Sequence, residues 1–174
     1  MGTNFQGAAD AHYQTMDYKD ICALPIANLA DDPCILFMWV TFPMLAEGLE
    51  VIKAWGFEYK TVAFTWLKVN PKDNKPFFGV GYYTKSNAEI CLLATKGQAH
   101  PLVKSNSVSQ VIVAPKTKHS KKPDEARNKI VELCGDIPRI ELFARNDGQK
   151  DLFNTNPLDG WAMFGNEAVD SIKL

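Results

Sequence analysis

Two short apolar runs constrain this chain more than any other feature. One is Cys34-Ile-Leu-Phe-Met-Trp-Val40, and the other is the Ile-Cys-Leu-Leu-Ala segment inside Glu89 to Thr95. Neither run alternates with polar residues, so neither suits a strand with one wet face. Both are short, and Asp31-Asp32-Pro33 and Thr41 bracket the first. A strand covered on both faces, as in a parallel sheet, satisfies such a run. Glu58 to Lys68 alternates loosely and is rich in aromatic and β-branched residues, which predicts another strand. Val111-Ile-Val-Ala114 predicts a short one.

Helical signals fall between these strands. Asp17 can cap a short helix over 18–23, which Pro25 stops. Pro43 opens a second helix, with Leu45, Leu49 and Ile52 on one stripe and Gly56 past its end. A third runs from Pro123 to about Cys134, carries Ala126, Ile130, Val131 and Cys134 on its stripe, and ends at Gly135. Strand, helix, strand implies a right-handed crossover by default. The expected fold is a three-layer α/β arrangement in a single domain over 1–174. A chain of 174 residues buries about 70% of its unfolded surface on folding, enough for a full core.

Charge gives no global direction. With 19 basic and 20 acidic residues the net charge is −1, so any contact with nucleic acid must come from a local patch. The cysteines (Cys22, Cys34, Cys91 and Cys134) show no paired spacing, and Cys34 and Cys91 sit in apolar runs. Reduced thiols, no metal and a reducing compartment are expected. No apolar run is long enough to span a bilayer and no signal peptide is visible, so a soluble, cytoplasmic protein is expected.

Chemistry-bearing residues gather at predicted strand ends. Arg139 to Ala144 reads as a buried strand stopping at Arg145, and Trp161 to Phe164 as one stopping at Gly165-Asn166-Glu167. Ligands of open α/β sheets sit beyond the carboxyl ends of strands, and an acid or amide there commonly holds a ribose. Ordinary strand-to-loop punctuation explains the same residues equally well. Lys116, Lys118, His119, Lys121 and Lys122 crowd before a helix start, where a lysine and a helix N-terminus together suit an anion. A solvated basic loop is the commoner meaning, and Lys122, next to Pro123, is the member best placed for a ligand. Trp39 and Trp66 lie near strand ends, while Phe77, Phe78, Tyr82 and Tyr83 fill the long segment 69–86. Such aromatics either stack a base or belong to core and rim. Glu89 is either a substrate contact or a surface acid. His12 and His100 are isolated, and no nucleophile–base pair, P-loop or GxGxxG is present.

Taken together, FMWVT (within CILFMWVT), AWGFEYKTVAFTWLKVN, FFGVGYYTKSNAEICLLATKG, HSKKPDE and RIELFAR…GWAMFGNE resemble one family from about Tyr13 to Glu167. That family is the adenine-N6 methyltransferases of the MT-A type. These are related to the catalytic subunit of the messenger-RNA adenosine methyltransferase and include bacterial and phage members. The resemblance implies a Rossmann-like fold that uses S-adenosylmethionine to methylate the exocyclic amine of adenine in DNA or RNA. It implies cofactor contacts at Lys122 (the methionine carboxylate), Phe143 and Arg145, with Asn166 and Glu167 on the ribose hydroxyls. It also implies that Trp39, Trp66 and Glu89 lie near the target base.

One departure stands out. The family's Asp-Pro-Pro-Trp motif, which orients the adenine amine, does not occur in these 174 residues. Asp32-Pro33 is followed by cysteine and is no substitute. The resemblance therefore implies a fold lacking its first central strand, expected between the strand of Leu36 and that of Leu142, in a chain truncated or started late. It also leaves open a non-catalytic partner subunit or relic that binds nucleic acid or a homologous subunit. No catalytic residue is assigned, and a homo- or hetero-oligomer stays open.

Overall fold

The computed structural model describes residues 16–81, 83–116, 121–144, 160–165, 168 and 172–173. Helices α1 (Tyr18–Ala23), α2 (Leu45–Ala54) and α3 (Glu125–Cys134) accompany six strands. These are β1 (Cys34–Val40), β2 (Glu58–Val69), β3 (Ala88–Lys96), β4 (Val111–Pro115), β5 (Ile140–Leu142) and β6 (Ala162–Phe164). The first four strands form one mixed sheet in the order β1-β3-β2-β4, and β5 and β6 form a second, two-stranded sheet.

The large sheet departs from the parallel arrangement expected for β1. β1 pairs antiparallel with β3 along its whole length, from Cys34 opposite Lys96 to Val40 opposite Ile90. β2 lies antiparallel on the other side of β3, and β4 runs parallel to β2. β1 and β2 thus point the same way, as the strand–helix–strand order requires, but β3 lies between them. An unbroken apolar run registers that both faces are covered and carries nothing about strand direction. β3 meets that requirement most fully: Cys91, Leu92 and Ala94 are completely buried.

Period-two alternation divides the sheet residues between two cores. On one face Val40, Ile90, Leu92 and Ala94 pack with Val51 and Ile52 of α2, with Trp55 just past its end, and with Ile26. On the other, Phe64, Trp66, Cys91 and Ile112 pack with Ala126, flanked by Ile130 of α3. Helix, sheet and helix make the three layers.

The buried stripe of α2 is rotated from the expected one. Leu49 is exposed, and the helix buries Gly48, Val51 and Ile52 instead. The cause is a close approach to β1, since a Cβ on Gly48 would stand 2.6 Å from Val40 Cγ1. The smallest residue therefore faces the sheet. α1 begins on its expected cap, with the Asp17 carboxylate accepting from the Lys19 amide. Gly135 ends α3 at a φ of +77°, a left-handed conformation that glycine adopts without cost.

β5 and β6 do not extend the large sheet. Among the described residues they pair only with each other, parallel, from Ile140 opposite Ala162 to Leu142 opposite Phe164. Leu142 and Leu36 pack against the same core, but their strands share no ladder. Among the described residues, the break between the two sheets falls between these two residues. Side-chain packing reaches across such a gap, whereas backbone pairing needs strands about 5 Å apart.

Candidate functional site

β3 builds the site from its own alternation. Glu89 and Cys91 are two residues apart and so point to the same face. Trp39 of β1 stands opposite Cys91, and Trp66 of β2 stands opposite Glu89. The two indoles meet edge to face, with centroids 6.4 Å apart at 81°. Trp66 is 3% exposed and donates its indole N–H to the Ala114 carbonyl at 2.9 Å, so it forms a fixed wall.

Two ammonium groups stand over this wall and share one carboxylate. Lys68 Nζ donates to Glu89 Oε1 at 2.6 Å and lies 5.2 Å from the Trp66 ring centre. Lys122 Nζ donates to Glu89 Oε2 at 2.5 Å and lies 5.8 Å from the Trp39 ring centre. The Glu89 side chain is 14% exposed and that of Lys68 13%, whereas Lys122 retains 30%. Lys122 is therefore the open side of the cluster. Burial alone would raise the Glu89 carboxyl, but the Lys122 charge and the hydrogen bonds from both lysines outweigh it. The group is held below the ordinary glutamate range. Burial pushes the neighbouring Cys91 thiol up to about 12, against a weaker opposing pull from Lys122. Cys91 is thus a protonated packing residue with no nucleophilic character at neutral pH.

The second part of the site is the end of the small sheet. Phe143 follows β5 at a φ of +57°, a left-handed conformation that costs a bulky residue about 1–2 kcal/mol. Its ring is half exposed and sits edge-on to Phe164, 6.3 Å away. The chain then returns to the sheet, with the Ala144 amide donating to the Phe164 carbonyl at 2.9 Å. Gly165 lies against this turn so closely that a Cβ there would meet the Ala144 carbonyl oxygen at 2.5 Å. Backbone strain of this kind concentrates at ligand sites.

A clasp joins α3 to β5. Arg127 donates from Nε and Nη2 to the two carboxylate oxygens of Glu141, at 2.6 and 2.7 Å, and from Nη1 to Asp124. The segment carrying Lys122 and the strand leading to Phe143 are thereby fixed to one another.

The structure thus brings Trp39, Trp66, Glu89 and Lys122 together and places Phe143 at a strained strand end. Arg145, Asn166 and Glu167 lie outside the described residues, as do Tyr82, Lys118 and His119. Lys121 is committed to Asp124 at 3.3 Å, and Lys116 lies 5.4 Å from the Phe77 ring centre. Sequence reasoning missed Lys68 and Arg127. The signal for Lys68 was present: it follows Trp66 by two residues in a strand, so it shares the face of a core tryptophan and needs a counter-charge there. Among the described residues no cluster of metal-ligating side chains occurs, and no helix is long and apolar enough to cross a membrane.

Comparison with known proteins accounts for most of the chain. A family model, MT-A70, matches residues 4–167. The chain is 34% identical over 169 residues to the type II methyltransferase M.MunI of Mycoplasma sp, covering 96% of this chain and 64% of that one. It is 31% identical over 163 residues to the N(6)-adenosine-methyltransferase catalytic subunit METTL3 of Homo sapiens, covering 93% and 26% respectively. A probable N(6)-adenosine-methyltransferase MT-A70-like protein of Oryza sativa subsp. japonica is 30% identical over 163 residues, covering 93% and 21%. The chain therefore spans less than two thirds of the length of each of these relatives. With the family model matching from residue 4 to residue 167, this chain belongs to the MT-A70 family of methyltransferases.

Proposed function

We propose that this chain takes part in transferring a methyl group from S-adenosylmethionine to the exocyclic N6 amine of adenine in DNA or RNA. It supplies the half of the site that holds the cofactor and faces the base. The observation that carries this reading is the cluster at the start of β3, beside the carboxyl ends of β1 and β2. There the Lys122 ammonium, on a side chain that keeps part of its surface in solvent, is held by Glu89 over the face of Trp39.

The donor set suits the cofactor. Its carboxylate needs a cation with an unburied face, which Lys122 has. Its adenosine needs an apolar surface and hydroxyl partners. The half-exposed Phe143 ring offers the first; by resemblance, Asn166 and Glu167 are assigned to the second and Arg145 to a further cofactor contact. When bound, S-adenosylmethionine supplies an electrophilic methyl group on a sulfonium. The chain's own residues orient and enclose: Lys122 binds the anionic end, Trp39 walls the target base with the buried Trp66 as its fixed backing, and Glu89 presents a carboxylate near it. Cys91, protonated and buried, does not compete as a methyl acceptor.

Calorimetry of the full chain with S-adenosylmethionine tests the cofactor half. Saturable heat that Lys122→Ala abolishes is expected, and unchanged binding in that variant refutes the lysine's role. Radiolabelled methyl transfer to adenine-containing DNA and RNA tests the reaction. It is run on this chain and on a form extended at its N-terminus by an Asp-Pro-Pro-Trp-bearing strand. Cofactor binding without transfer in either form favours the non-catalytic partner subunit.

A further inference from the structure

The Glu89 cluster contains one cation more than its carboxylate requires. Lys68 and Lys122 both donate to it, one to each oxygen. A single lysine would suffice to neutralise a glutamate, so the second needs its own explanation. The two lysines are not equivalent. Lys68 is 13% exposed, within the sheet, and seated on the face of Trp66, whose indole is pinned to Ala114. Lys122 precedes α3 and is 30% exposed. One lysine is built in, and the other can turn outward.

We infer that Lys68 is a positioning residue that keeps Glu89 charge-compensated, so that Lys122 is free to engage the carboxylate of a bound ligand. The inference rests on the cofactor reading above. The charges set out the logic. Two ammonium groups and one carboxylate leave a net charge of +1, which a ligand carboxylate cancels. Without Lys68 the same pocket is neutral. Lys122 would then be the sole partner of a carboxylate with little access to water, and drawing it toward a ligand would strand Glu89. Two carboxylates would compete for one ammonium. Lys68 removes that competition without touching the ligand. It also fixes the side chain of Glu89, because each carboxylate oxygen has its own donor.

The test is a charge-balance series read by calorimetry with S-adenosylmethionine, using the full chain. Lys68→Met is expected to weaken binding by about tenfold or more, and Lys68→Gln, which keeps a hydrogen-bond donor but no charge, by a similar factor. Lys68→Arg is expected to stay within about threefold of the unsubstituted chain. The decisive variant is Lys68→Met with Glu89→Gln. It restores the net charge of +1 through Lys122 alone, and affinity should return to within about threefold. A lysine that merely props up the sheet would not be rescued by neutralising its partner. Failure of the double variant to recover therefore overturns the assignment, as does unchanged affinity in Lys68→Met or Lys68→Gln. Absence of heat with the unsubstituted chain overturns the cofactor reading and this assignment with it. Heat that the Lys68 variants leave unaltered overturns the assignment alone.

Discussion

Glu89 shows how a single residue takes its character from its surroundings. Its carboxyl titrates below the usual 4.5 because two ammonium groups outweigh the cost of burial. A folded value lower than the unfolded one stabilises the protein above pH 4.5, and that contribution is lost as pH falls through the depressed value. Carbon-13 NMR of the Glu89 carboxyl should give a midpoint below 4.5, and Lys68→Met should move it upward. A midpoint at or above the ordinary value would contradict the paired geometry. Phe143 makes a second case. Phe143→Gly relieves a left-handed φ worth about 1–2 kcal/mol and loses an edge-to-face contact worth about 0.5–1.5 kcal/mol. Thermal stability should therefore hardly change while S-adenosylmethionine binding weakens, and unchanged affinity would remove Phe143 from the cofactor contacts. Lys122, Glu89 and Trp39 were legible as candidates in the sequence because a lysine before a helix start, and charged and aromatic residues at strand boundaries, stand out. For Lys68 the sequence showed only that a charge two residues from Trp66 needs a partner on that face, and not which carboxylate it meets across the sheet. Ladder register decides that, and Trp66 opposite Glu89 becomes visible only when β2 and β3 are paired.

Among the elements, α2 and α3 are attached to the sheet in different ways. α2 is held by shape. Gly48 lets the helix lie against Val40, and Gly48→Ala should destabilise by about 1–3 kcal/mol through overpacking, despite alanine's better helix propensity. The measurement is a thermal melt, with a drop of about 2–4 °C per kcal/mol at this chain length. An unchanged or raised midpoint would mean that the helix shifts freely. α3 is held in part by charge, through Arg127 on Glu141 and Asp124. Arg127→Met leaves two carboxylates short of a partner and should cost about 1–3 kcal/mol. If the clasp also aligns Lys122 with the end of β5, cofactor affinity falls in the same variant, and a loss of stability alone would confine the clasp to a structural role. The helix boundaries and their terminating glycines were readable locally. The face of α2 was not, since Leu49 and Gly48 exchange roles only because β1 approaches so closely.

For the whole molecule, the division of the strands into two sheets is the governing feature. β3 is the most protected strand, with Cys91, Leu92 and Ala94 fully buried and neighbours on both sides. β5 and β6 form a short two-stranded sheet, and such ribbons have little stability of their own. Native-state hydrogen exchange should show the amides of Ile90 to Ala94 as slowest, and those of Ile140 to Leu142 as faster by at least about tenfold. Equal protection would mean that the two sheets open as one unit. Composition, periodicity and turn residues determined by themselves that this chain builds α/β layers and which segments are strands. These properties are local, since burial on both faces, a capping aspartate and a glycine stop each act within a few residues. The tertiary structure alone decided that β3 lies between β1 and β2, that the last two strands stand apart, and that Lys68 completes the cluster around Glu89. Those outcomes depend on strand direction and cross-strand register. Both are set by pairing between segments far apart in the chain, and an apolar run reads the same in either direction.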